Sequence, residues 1–178
     1  MSRPQKPLSK AIDIAASSKA LVRHVQGMEP FDTKAPLEEF CGSSLFKAQN
    51  SISPMLLALS MELAMKAWVV YDGTKNDVPR EHDLSKLFSY TSLATQECLK
   101  ARYDREIAPR HPSFIYLDDG LERTLENARN AFVQWRYVHE LERAHFDVSV
   151  FIETIEMILS EFESRIVVVK HAPPLSRY

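Results

Sequence analysis

The chain has 178 residues, 45% of them hydrophobic, which suits one domain with one core and excludes a disordered chain. Four glycines against ten prolines are too few for a fold of many tight hairpins, and Gly27, Gly42, Gly73 and Gly120 stand too far apart for a phosphate-cradling loop. With 22 basic and 24 acidic residues the net charge is −2, so any nucleic-acid binding has to be local.

The basic N-terminus lacks the apolar stretch of a secretory signal, and Cys41 and Cys98 have no C-x-x-C spacing. Both cysteines read as small, reduced, buried hydrophobes, and the chain as cytoplasmic. Residues 8–26 predict a first helix with Ser9 as a candidate cap, and 27–36 a loop. In 37–48, Leu37, Phe40, Cys41, Leu45 and Ala48 fall on one helical face. Ser53-Pro54 signals a helix start, since serine accepts from orphan amides and proline loses nothing at the first helical position. That helix is expected to run to Tyr71 and stop at Asp72-Gly73. It is apolar all round, so it belongs at the centre of the core. Its run 54–70 carries Glu62 and Lys66 and falls short of the roughly 20 residues that cross a bilayer, so no membrane partner is expected.

Residues 72–82 are a polar connection, followed by a short helix over 83–90 with Leu84, Leu87 and Phe88 inward, another over 92–107, and a break at 108–113. A long helix is predicted from 118 to 143, because Leu121, Leu125, Ala128, Phe132, Trp135 and His139 line one seam. Asp147 then caps a last helix to Val169, whose face is Val148, Phe151, Ile152, Ile155, Ile158, Leu159, Phe162 and Ile166. The only strand candidate, 166–169, reads as the end of that helix. The expected fold is all-α, an antiparallel bundle of five to six helices. The divisions are an N-terminal helix and loop over 1–35, the bundle over 36–169 and a loose tail over 170–178.

The chemistry is sparse. His139-Glu140 is followed by Arg143 where a zinc motif needs a second histidine, so no metal is expected, and no cofactor. No G-x-S-x-G is present. Glu62 and Lys66 are the only charges in the central helix, four apart in the favourable order, which predicts an ion pair or the support of a polar site. On the predicted long helix Glu122, Glu126, Arg129, Val133, Arg136, Glu140 and Arg143 share a stripe flanked by Asn130 and Tyr137. It reads as a solvated face or as a dimer seam able to hold RNA phosphates. The segment 100–111, KARYDREIAPRH, is basic; an arginine there suits stabilising a phosphodiester transition state and a histidine moving its proton.

Two motifs together resemble the HEPN superfamily. They are the acid and lysine four apart in LALSMELAMKAWVV (Glu62, Lys66) and His-Asp-Leu at His82, Asp83 and Leu84 opening the next helix, the likeness extending loosely over 36–168. The resemblance implies a four- or five-helix bundle acting as a homodimer. It also implies one of two functions. One is a metal-independent RNA endonuclease of toxin–antitoxin or other bacterial defence systems, using R-x(4–6)-H at the dimer cleft. The other is a non-catalytic binding or scaffold module with an antitoxin- or nucleotidyltransferase-type partner protein. The usual late-helix position begins correctly at Arg129-Asn130 but has Gln134 where histidine is expected, and glutamine is neither acid nor base. The spacing is met at Arg105 and His111, which become the candidate catalytic pair. Arg129, Asn130, Arg136, Tyr137 and Glu140 become the candidate RNA-binding or polar-cleft residues, and Glu62, Lys66, His82 and Asp83 the supporting pair and turn. The non-catalytic module is the leading expectation and the nuclease the alternative.

Overall fold

A computed structural model describes residues 6–27, 44–75, 77–110, 120–129 and 148–171. Among these the regular elements are helices: α1 (Lys6–Gly27), α2 (Ser44–Asp72), α3 (Leu84–Ser89), α4 (Leu93–Glu106), α5 (Leu121–Asn127) and α6 (Val148–His171), with a 3₁₀ turn at Ala108–Arg110. The fold is an all-α bundle.

α2 is its axis. Leu57, Met61, Ala64, Met65, Ala67, Trp68 and Val69 are all within 1% of complete burial. With the buried Ala58, Ser60, Glu62, Lys66 and Val70, these positions cover every side of the helix, so α2 packs against α1, α3 and α6 at once. Small residues let α1 come close: Ala11, Ala15 and Ser18 face it, and the buried Ser18 and Ser60 hydroxyls donate to each other's carbonyls at 2.7 and 2.9 Å. α6 lies antiparallel to α1, since Lys19 bonds Glu163 and, one heptad on, Gln26 donates to Glu156. Trp68, Tyr71 and Phe162 form an edge-to-face triangle with centroids 5.3–5.6 Å apart, and Trp68 Nε1 donates to the Ile158 carbonyl at 3.3 Å. The side chains of α1 and α6 enter one common core with α2.

Several boundaries differ from expectation. Ser9 lies inside α1 and is not its cap; Pro7 sits in the first turn, where amides have no intrahelical acceptor. α2 does not begin at Ser53-Pro54 but is already helical at Ser44 and runs through the buried Pro54. An interior proline costs about 3 kcal/mol. It removes one backbone bond, to the carbonyl four residues back, and the helix continues through it. Its longer reach also corrects the length argument against a bilayer span. Ile52–Asp72 has 21 residues at hydropathy 1.3, enough by length and composition, and its most apolar window is 67% buried among the other helices.

The predicted long helix stops early. α5 ends at Asn127, and Ala128, at φ −97° and ψ 8°, turns the chain away. The physical reason is visible at Arg129, whose carbonyl accepts from the Leu84 amide at 3.1 Å and so ties the chain to the start of α3. The continuous charged stripe expected from Glu122 to Arg143 is therefore broken after Glu126. Phe132, Trp135, His139 and Asp147 lie outside the described residues, as do 28–43, 111–119 and the tail from 172. α6 follows its predicted face, with Phe151, Ile155, Ile158, Leu159, Phe162 and Ile166 buried, although Val148 is exposed. It continues past Val169 to His171, two residues into the segment expected to be loose.

Gly73 ends α2 as expected, with φ +66°. A Cβ there would touch nothing within 4 Å, so the cost of Gly73→Ala is backbone strain alone, about 1 kcal/mol. Gly27 has equally open surroundings without the positive φ, and Gly27→Ala is expected to leave urea-denaturation stability unchanged or slightly raised, while Gly73→Ala lowers it.

Candidate functional site

The α2 surface facing the start of α3 holds the most distinctive polar group. Glu62 Oε1 receives Lys66 Nζ at 2.6 Å, and Oε2 meets His82 Nδ1 at 3.0 Å. The Glu62 and Lys66 side chains are 4% and 10% exposed, whereas the His82 ring is 53% exposed. Glu62 and Lys66 meet because residues four apart share a helix face. His82 reaches them because the chain from 73 to 83 is tied at several points. Gly73 turns it, the Thr74 hydroxyl donates to the Tyr90 carbonyl, and the Lys75 ammonium lies 4.0 Å from the Tyr90 ring centroid. The Asp72 carboxylate, at the end of α2, accepts from the Ser92 amide at 2.7 Å and the Thr95 hydroxyl at 3.1 Å.

Asp83 follows as the N-cap of α3, accepting from the Ser85 and Lys86 amides at 3.0 and 3.3 Å. The Leu84 amide is satisfied by the Arg129 carbonyl. Glu81 supports the turn by accepting from the His82 and Asp83 amides; these backbone bonds, Asp83's first, hold its carboxyl below the usual range. All four residues expected as a supporting pair and turn thus act together.

Arg129 continues from this turn into a cleft of about 250 Å³ between α3, α4 and α5, which Asp83, Glu122 and Glu126 also line. The sequence pattern placed Glu122, Glu126 and Arg129 on one stripe, but it gave no sign that Asp83, Ser85 and Gln96 join them across two other helices.

Arg105 stands elsewhere. Its side chain is 70% exposed and donates to Glu106 Oε1 at 3.0 Å. Glu106 also holds Arg102, whose Nε lies 2.9 and 3.1 Å from its two oxygens. Arg102 reaches on to Glu161 at 3.2 Å, and Glu161 accepts from Arg165 at 2.9 Å and from the Cys98 thiol at 3.3 Å. Cys98 is therefore half-buried and hydrogen-bonded, not the plain buried hydrophobe expected. This α4–α6 network was partly readable as the four-residue spacings Arg102–Glu106 and Glu161–Arg165; the link between them spans too much chain to be read. His111, the expected partner of Arg105, lies outside the described residues, and so do Asn130, Arg136, Tyr137 and Glu140. No cluster of metal-ligating side chains occurs among the described residues.

No family model, curated protein or solved structure matches the chain.

Two outcomes follow. Glu62→Gln leaves Lys66 buried without its counter-ion and is expected to cost about 3 kcal/mol in chemical denaturation; the double replacement Glu62→Leu, Lys66→Met recovers most of that loss. The second concerns acid. At Glu161 burial raises the carboxyl pKa, but the bonds from Arg165 and Cys98 outweigh it and the net shift is downward; at Glu106 the Arg102 bond dominates and lowers it. A carboxylate depressed by folding adds stability that is present above its unfolded pKa and lost as pH falls through its folded one. Glu161→Gln is accordingly expected to lower stability at neutral pH and to flatten the loss below the ordinary carboxylate range, seen as converging denaturation midpoints at acid pH.

Proposed function

We propose that the chain is a HEPN-like, non-catalytic binding or scaffold module of a bacterial defence or toxin–antitoxin type system, acting as a homodimer alongside a partner protein. The observation that carries this reading is the fate of the Glu62 carboxylate. It takes Lys66 on one oxygen and His82 on the other, so the polar residues behind the family resemblance are used to fasten α2 to the start of α3. Such a fastening keeps a shape; it does not supply a general acid and base. Arg105 supports the same reading, because its guanidinium is engaged by Glu106, whereas transition-state stabilisation needs an arginine aimed at developing charge.

The alternative is a metal-independent RNA endonuclease in which Arg105 stabilises the pentacoordinate phosphate and His111 transfers the proton. The Arg105-x5-His111 spacing favours it.

Cleavage of a mixed-sequence RNA in EDTA separates the two. The binding module predicts equal, background rates for wild type and His111→Ala. A wild-type rate that falls by roughly a hundredfold or more in the variant, within the usual contribution of a general acid or base, overturns it in favour of the nuclease.

A further inference from the structure

The α3–α4–α5 cleft has a lining too specific for a passive surface. Its apolar wall is Phe88 and Leu125, both nearly fully buried. Its polar groups are mostly acceptors. A carboxylate accepts at up to about four positions. Glu122 holds one donor group, Lys100, at 2.6 Å, and Glu126 holds Arg123 at 3.2 Å. Asp83 uses one oxygen to cap α3. The Gln96 amide nitrogen donates to the Ser89 and Thr91 carbonyls, which leaves its oxygen as a further acceptor. The Ser85 hydroxyl, on the same lining, is the one buried side-chain polar atom without a hydrogen-bond partner among the described residues. Among the described residues Arg129 is the only cation on the lining, and it forms no ion pair with Asp83, Glu122 or Glu126.

We propose that this cleft docks a basic side chain carried by a short peptide segment of a partner protein. The inference rests on the reading of the chain as a binding module and names its partner's chemistry. A guanidinium or ammonium brings three to five N–H donors to a cavity of unused acceptors and to the unpartnered Ser85 hydroxyl. Arg129 then takes the carbonyl oxygens of the peptide backbone beside that side chain, which is why a peptide fits better than a free amine. A phosphate offers acceptors only. It would find Arg129 alone and face three carboxylates, so RNA is disfavoured here. The volume agrees: about 250 Å³ is below the ~300 Å³ at which pockets for drug-sized ligands begin, and suits one long side chain.

The test is an amide-resolved NMR titration of the full chain with acetyl-Gly-Arg-Gly-amide. The controls are acetyl-Gly-Gln-Gly-amide, spermidine and a mixed-sequence RNA oligonucleotide. The arginine peptide is expected to shift amides of 83–96 and 121–129 saturably. The exposed charge reversal Glu126→Lys should weaken that binding at least about tenfold without changing the melting temperature, and Arg129→Ala should weaken it about threefold. Three results overturn the proposal: no saturable shift at ~10 mM peptide, an equal response to spermidine, or RNA occupying the cleft with binding lost in Arg129→Ala and strengthened in Glu126→Lys. A silent cleft in a chain that still shows no RNA cleavage removes this docking site while leaving the binding-module reading in place. Wild-type cleavage dependent on His111 removes that reading itself.

Discussion

A carboxylate buried inside a helical core needs partners, and Glu62 has two. Lys66 supplies the opposite charge from one turn further along α2, and His82 supplies a hydrogen bond from a different part of the chain. The first contact is local and holds as soon as α2 is helical. The second exists only when the connection after α2 has folded back. Because the Glu62 and Lys66 side chains are almost fully withdrawn from water, their attraction is little screened, and so is the penalty for separating them. The turn into α3 takes part of its position from this contact, beside the ties that Asp72, Thr74 and Lys75 make. His82 precedes the cap residue Asp83; Asp83 fixes the first turn of α3; the Leu84 amide fixes the end of α5 through the Arg129 carbonyl. One carboxylate on α2 thereby helps to hold the turn that leads into a cleft it does not line.

The α4–α6 charge network has a different character. Its members are partly exposed, so water competes for the bonds and salt weakens the pairs more than at Glu62. It trims the packing of two helices already joined by their apolar faces. A mutation in this network therefore changes the surface more than it changes the fold, whereas the Glu62 contact cannot be altered without moving the turn that follows it.

The sequence was most legible where a local rule had no competitor. The Gly73 stop, the inward positions of α3 and most of the face of α6 follow from side-chain chemistry within one or two turns. The Glu62–Lys66 spacing is equally local. Prediction failed where a long-range contact decided between acceptable local outcomes. Ser53-Pro54 has the chemistry of a helix start, yet the helix is already formed at Ser44 and passes through the proline. The seam Leu121, Leu125, Ala128 has the period of a longer helix, yet the Arg129 carbonyl is taken by the Leu84 amide, a contact that no local pattern encodes. The cleft was legible only in part, since Arg129 and Asp83 belong to separate motifs and nothing in the spacing says that they share a wall.

Pro54 also divides α2 thermodynamically. It has no amide to give the carbonyl four residues before it, so the hydrogen-bond ladder has a gap there. On the C-terminal side of the gap lie the buried residues that hold the axis of the bundle. The turns from 44 to 53 are thus able to open and close as a unit of their own, with amides that exchange with solvent sooner than those from Leu57 onward, and α2 is one rod in shape but two segments in cooperativity.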